Sequence, residues 1–242
     1  MASPWPPIVV ALALLGMTAC ERAPSAPAGP ALGAAPTVAS ATTGGFPEEA
    51  GELAARPQPS TTTFVIPVRG GVVPTDPLLL PGSPRYYRGG FHEGIDFPVR
   101  VGTPVFAAAP GIVTRIDYAF QDWSEPARSA ALDNARRLGY TPEIVLDLIR
   151  GRQVWIDHGN GVVTRYAHLA EVAGLKRGDR VDPDTVIGLV GSSGYPEGGP
   201  HLHFEIRQGD SYLGAGLDPA SVRGAVAQAF GLGEPQSRAA EK

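Results

Sequence analysis

Two short stretches of this 242-residue chain concentrate side chains that can hold a metal ion and move protons. His201-Leu202-His203 lies in the run Gly-Gly-Pro-His-Leu-His-Phe-Glu-Ile-Arg, which reads as a β-strand. Side chains alternate across a strand, so the two imidazoles share one face. Imidazole is the commonest protein metal ligand and a common general base. Upstream, His92-Glu-Gly-Ile-Asp96 adds a third imidazole and a carboxylate. Gly94 and Pro98 make a helix poor there, so His92 and Asp96 are expected on a strand and its approach, both reaching one face. Two nitrogens and one carboxylate oxygen suit Zn2+, and three protein ligands leave a fourth position open. Zinc polarises a carbonyl oxygen and lowers the pKa of water toward neutrality. Spacing leaves His201 and His203 interchangeable as the third ligand. The one left over, together with His168 of Tyr166-Ala-His-Leu169, is a candidate for proton transfer or oxyanion stabilisation.

The elements that must position these residues read as short strands bounded by turn residues, at 64–68, 94–97, 104–107, 111–117, 153–157, 162–168, 185–190 and 201–207. Asn160-Gly161 is a strong hairpin signal between two of them. Short connections throughout predict an all-β core, an antiparallel sheet with a barrel-like form. One stretch breaks the pattern, at about 118–151. Ala127, Ala131, Ala135 and Leu138 recur at helical spacing, and Gly139 follows them. Thr141, Pro142 and Glu143 then read as an N-cap, a first-turn proline and a first-turn acid. Ile144, Val145, Leu148 and Ile149 make an apolar stripe that Gly151 ends. The expectation is an inserted helical hairpin, which either caps the barrel or walls one side of a substrate groove.

All five histidines fall within residues 61–220, a length that suits one domain with one sizeable core. Residues 1–20 read as a signal peptide. The apolar run at 8–16 is too short to span a membrane and has the length of a signal-peptide core. Thr18 and Ala19 precede the single cysteine, Cys20, and this ending is similar to a bacterial lipoprotein signal. No Lys or Arg precedes the run, and Met17 stands where Leu is usual. The expectation is an exported protein, held at the cell envelope by a lipid on Cys20. Residues 21–60, rich in Ala, Pro, Gly, Ser and Thr, lack the apolar surface to offset their ordering entropy and read as a tether. Residues 221–242 read as a C-terminal tail. A net charge of −4 with no basic run excludes nucleic-acid binding. One cysteine excludes an internal disulfide.

His92-Glu-Gly-Ile-Asp96, Asp157-His-Gly-Asn-Gly161, Tyr166-Ala-His-Leu169 and Gly191-Ser-Ser-Gly194 through Gly199-Pro-His-Leu-His-Phe-Glu205 occur in that order. Over residues 62–220 the set resembles the lysostaphin-type (LytM-like) zinc metallopeptidases. The resemblance implies a β-rich core with a groove over an antiparallel sheet, and cleavage of stem or cross-bridge peptides of peptidoglycan. It implies His92, Asp96 and His203 as zinc ligands and His168 and His201 as the catalytic pair. His158 matches a family position that is not a ligand, and beside Asn160-Gly161 it is expected to hold the hairpin. Alternation turns Glu93 away from the site and Glu205 toward it, as a partner for a ligand histidine or as an exposed carboxylate. Gly191, Gly194, Gly198 and Gly199 suggest a loop with unusual backbone angles beside the site. The helical insertion departs from the usual short connection in the family. A rival expectation is a non-catalytic LytM-like module that activates a cell-wall amidase. Such modules usually lack a ligand or a catalytic histidine, and here all five residues are present.

Overall fold

The computed structural model describes residues 62–233. The signal peptide, the lipid-bearing Cys20 and the tether expected from the sequence lie outside the described residues, as does the chain from 234 onward. The strands are β1 (Ile95–Phe97), β2 (Pro104–Phe106), β3 (Gly111–Ile116), β4 (Val154–Asp157), β5 (Val162–Ala167), β6 (Leu169–Val172), β7 (Arg180–Val181), β8 (Val186–Val190), β9 (Leu202–Gln208) and β10 (Ser211–Tyr212). The helices are α1 (Glu125–Leu138), α2 (Glu143–Arg150) and α3 (Pro219–Ala229). The larger sheet runs β1-β9-β5-β4-β3-β7 with β10 also paired to β9, and a three-stranded sheet runs β2-β8-β6. All pairings are antiparallel, so the expected all-β core with an inserted helical hairpin is what forms.

β9 shows how sequence becomes packing. Leu202, Phe204 and Ile206 face the hydrophobic core, beside Ile95 and Phe97 of β1 and Tyr166 of β5. The alternate residues His203, Glu205 and Arg207 are also buried, on the opposite face. Burying each large apolar side chain contributes about 1.5–3 kcal/mol. Against that gain, the polar face can be sustained only where every charge finds a partner.

Several expectations need correction. Residues 64–68 do not join a ladder. Pro67 has no N–H to donate, and the segment bonds instead through Phe64 N–H to Ala229, Val65 N–H to Ala108 and the Pro67 carbonyl to Phe106. The expected boundary at 220 cuts through α3, whose Asp218 N-cap accepts from the Ala220 and Ser221 amides. Val222, Val226 and Phe230 are core residues, and the Phe230 ring lies 6.3 Å from that of Phe97 and 6.1 Å from that of Phe204. The packed domain therefore continues to Phe230. Strands β6, β7 and β10, two to four residues long, are additional to those expected.

The hairpin forms where expected, but its stripes differ. Leu138 and Ile144 are exposed, and α1 buries only Arg128 and Ala135. On α2, Leu146 is buried in place of Ile144. Thr141 does not cap α2. Its hydroxyl lies 2.8 Å from the Gly89 carbonyl and accepts from Arg88 Nη1 at 3.0 Å, so it serves the 88–89 turn and Pro142 stands at the cap position.

Truncating Phe230 to alanine is expected to destabilise the domain by about 3–5 kcal/mol, measured as the shift of the urea midpoint.

Candidate metal centre and active site

Three side chains converge beneath an open groove. Asp96 on β1 and His203 on β9 are direct cross-strand partners, so sheet register alone brings a carboxylate beside an imidazole. His92 arrives just before β1, held as its amide donates to Ser83 and its carbonyl accepts from Gly82. Between them, Gly94 is required by space: a Cβ there would stand 2.6 Å from the Phe204 carbonyl oxygen and 2.9 Å from the His203 ring.

The three donor atoms are close to one another. His92 Nε2 lies 3.0 Å from Asp96 Oδ1 and 3.1 Å from His203 Nδ1, and His203 Nδ1 lies 2.8 Å from Asp96 Oδ1. Donors about 2.0–2.1 Å from a tetrahedral zinc stand about 3.3 Å apart, so a few tenths of an ångström of opening fits the ion. His92, Asp96 and His203 are also the only group of three or more such side chains able to share an ion among the described residues.

Each ligand candidate is fixed from behind. His92 Nδ1 donates to the Leu80 carbonyl at 2.9 Å, which directs the Nε2 lone pair at the site. Arg85 Nη2 holds Asp96 Oδ2 at 3.2 Å and leaves Oδ1 for the ion. His203 Nε2 faces Glu205 Oε1 at 3.2 Å, so Nδ1 is the nitrogen left for a metal. Glu205, read from the sequence as either a ligand's partner or an exposed carboxylate, is 0% exposed. It accepts from Arg150 Nε at 2.6 Å and Arg207 Nη1 at 2.9 Å.

Electrostatics follow from these contacts. Burial opposes the charge of Glu205, but Arg150 and His203 overcome it and hold its carboxyl well below the usual range. Asp96 is likewise held low against burial by His92 and His203. Burial lowers His92. Burial also acts to lower His203, yet its bonds to Asp96 and Glu205 prevail and raise it to about 9.

His168 and His201 stand beside this set, with ring centroids 4.6 Å apart. His168 Nδ1 donates to the Ser193 carbonyl at 2.9 Å, and His201 Nδ1 to the Gly199 carbonyl at 2.9 Å. A carbonyl only accepts, so Nδ1 carries a proton in both rings, and in a neutral ring Nε2 then keeps the lone pair. Nε2 of His201 lies 3.7 Å from Asp96 Oδ1. Burial, aided by the neighbouring histidines, pushes His168 down to about 3, so it stays neutral. Its backbone is left-handed, with φ at 59°, a conformation that costs a non-glycine residue about 1–3 kcal/mol. The strain is held by its amide, which donates to the Arg150 carbonyl at 2.8 Å. Thus all five expected site residues meet, and His201 and His203 divide: His203 is in the three-donor set and His201 is beside it.

The groove above has a volume of about 540 Å³. Leu146, Ile149 and Arg150 of α2 form one wall, and Tyr87 and Tyr195, stacked with centroids 5.1 Å apart, stand at another part of it. The insertion thus walls the groove. Glu93 corrects its sequence reading: it lines the groove, paired to Arg88 at 2.8 Å. The strand begins only at Ile95, so alternation does not govern residue 93. His158 does lock its hairpin, with Nδ1 on the Pro110 carbonyl at 2.7 Å and Nε2 on the Thr164 hydroxyl at 2.8 Å. In the glycine loop, Gly194 and Gly199 have positive φ, whereas Gly191 and Gly198 do not. Arg85 and Arg150 were missed by sequence reasoning, being 11 and 55 residues from the acids they hold. Arg207 could have been found by alternation from Glu205.

Comparison with known proteins gives a consistent picture. Residues 140–215 match the family described as Peptidase family M23. The DD-carboxypeptidase/endopeptidase Mpg of Neisseria meningitidis is 36% identical over 134 residues, 54% of this chain and 22% of that protein. The peptidoglycan DD-endopeptidase ShyA of Vibrio cholerae is 32% identical over 115 residues, 48% of this chain and 20% of that protein. The chain thus spans about a fifth of the length of these curated relatives. Among solved structures, a zinc-containing peptidase from Vibrio cholerae aligns with a TM-score of 0.42 at 23% identity, covering 62% of this chain and 38% of that one.

Because metal-free His203 is raised to about 9, it carries a proton at pH 7 that a cation on Nδ1 must displace. Zinc binding is expected to release about one proton at pH 7 and to strengthen as pH rises toward 9. Calorimetric titration in buffers of different ionisation enthalpy measures this, and a heat independent of buffer would contradict it.

Proposed function

We propose that this chain, which carries a peptidase M23 (LytM-type) domain, is a zinc-dependent endopeptidase that hydrolyses peptide bonds in peptidoglycan stem or cross-bridge peptides. The observation that carries it is the juxtaposition of the three-donor set His92, Asp96 and His203 with two further imidazoles, His168 and His201, under one open groove. Zinc, when bound, supplies Lewis acidity that polarises a peptide carbonyl and makes water a better nucleophile.

The chain's own residues supply the rest. His92, Asp96 and His203 would hold the ion and leave its groove side open. His168, kept neutral by burial, presents its Nε2 lone pair and His201 stands beside it, so the pair can take the proton of the attacking water. A ring so protonated becomes a donor, able to stabilise the oxyanion and to return the proton to the departing amine. The Ser193 and Gly199 carbonyls favour the protonated ring, because each keeps its Nδ1–H engaged throughout. α2 and the tyrosine stack line the sides of the groove. The completeness of this set speaks against the amidase-activating module. The proposal includes export and attachment to the cell envelope through a lipid on Cys20, which would keep the domain facing its polymer.

Incubating the full chain with purified peptidoglycan and analysing released fragments by mass spectrometry tests the activity. Peptide products that vanish with a chelator and return with zinc are expected. No products, alongside stoichiometric binding of an amidase, would favour the activator instead.

The division of roles has its own test. His203→Ala is expected to lose both bound zinc and activity. His201→Ala is expected to keep zinc and lose activity by about 10²–10⁴-fold. Loss of zinc from His201→Ala would reverse the assignment.

A further inference from the structure

We propose that the helical insertion supports the metal centre and the paired histidines, and that Arg150 at the end of α2 is its positioning residue, which rests on the reading of His92, Asp96 and His203 as a zinc site.

The insertion reaches this centre along three routes. The first is a side chain. Arg150 Nε donates to Glu205 Oε1, the oxygen that also faces His203 Nε2. Arg207 holds the other oxygen, and Arg165 approaches that same oxygen at 3.6 Å. Arg150 therefore fixes the oxygen on which the orientation of His203 depends. Its own Nη1 is tied to Glu143 at the start of α2, 2.8 Å away, so the helix carries the guanidinium as part of a rigid unit.

The second route is backbone. The Arg150 carbonyl accepts from His168 N–H and holds the left-handed turn that aims that ring. The third runs through the loop after β8. A Cβ on Gly194 would stand 2.3 Å from the Ile149 carbonyl oxygen and 2.5 Å from that of Leu148, so only glycine lets this loop lie against α2. Asp122 accepts from the Gly194 amide at 2.5 Å, Trp123 Nε1 donates to its carbonyl at 2.9 Å, and Arg128 pairs with Glu197. That loop carries the Ser193 and Gly199 carbonyls, which set the tautomers of His168 and His201.

A hairpin that served only to cap the barrel would bury an apolar stripe. Here Leu138 and Ile144 remain exposed, while the buried side chains include Arg128 and Arg150. Beside the buried Ala135, Leu146 and Ile149, its polar contacts end on groups that orient histidines.

The experiment is a metal-binding cycle on the full chain with Arg150→Met, Glu205→Gln and the double variant. Zinc affinity is read by competition with a chromophoric chelator, and the ligand field by visible absorption of the cobalt form. Each single variant is expected to weaken zinc by about 10–100-fold and to shift the cobalt bands. The double variant is expected to lose less than the product of the two, because both act through one contact. Wild-type zinc affinity in folded Arg150→Met, an unchanged cobalt spectrum, or losses that multiply would overturn the proposal. If Arg150→Met does not fold, Arg150→Lys carries the test. It keeps the charge but removes the Nε donor, and the same loss of affinity and band shift are expected, with wild-type values overturning the proposal. None of these readouts uses a substrate, so failure of peptidoglycan hydrolysis leaves them intact.

Discussion

A carboxylate removed from water governs the architecture of this site. Glu205 has no solvent exposure, and an ionised group in that position is costly unless its lone pairs are filled by charged donors. Arg150, Arg207 and His203 fill them, with Arg165 close by. Breaking such a buried pair by deleting one partner typically costs about 3–5 kcal/mol. The positive charge comes from three separate elements, α2, β5 and β9. Satisfying one acid thus ties the insertion to the sheet and orients the His203 ring at the same time.

The same strand explains why core and site do not compete. β9 turns Leu202, Phe204 and Ile206 toward the hydrophobic core, and His203, Glu205 and Arg207 toward the polar face. Two-residue periodicity lets one segment contribute apolar burial on one face and a buried polar cluster on the other. Its neighbours are chosen by register: Asp96 lies across from His203 on one side and Ala167 on the other. The small Ala167 leaves room above the sheet, and the chain then turns sharply at His168 to bring a fourth ring to the centre.

The candidate site was more legible than the fold around it. His92, Asp96, His168, His201 and His203 were all readable, because Gly-rich turns and strand alternation leave few places for such side chains to point. What spacing left open was the choice between His201 and His203. Cross-strand pairing separates them, since His203 faces Asp96 within β9 while His201 only bridges Gly191 just before the strand begins. Glu93 escaped because the alternation invoked for it starts two residues later. Helix α3 escaped because Gly224 and its many small residues weaken its periodic signal, although Asp218 and Pro219 mark its start and its Val222 and Val226 pack in the core.

Sequence by itself determined the five candidate site residues, the strand period and the presence of two inserted helices, because these depend on residue type and local spacing. Tertiary structure decided which imidazole nitrogens bond to carbonyls, which arginines neutralise Glu205, and that the insertion bonds to Glu205 and walls the groove. Those features join residues far apart in the chain, such as Arg150 with Glu205 and Leu80 with His92. No local pattern encodes a hydrogen bond whose partners meet only after the sheet has set its register and the helices have packed against it.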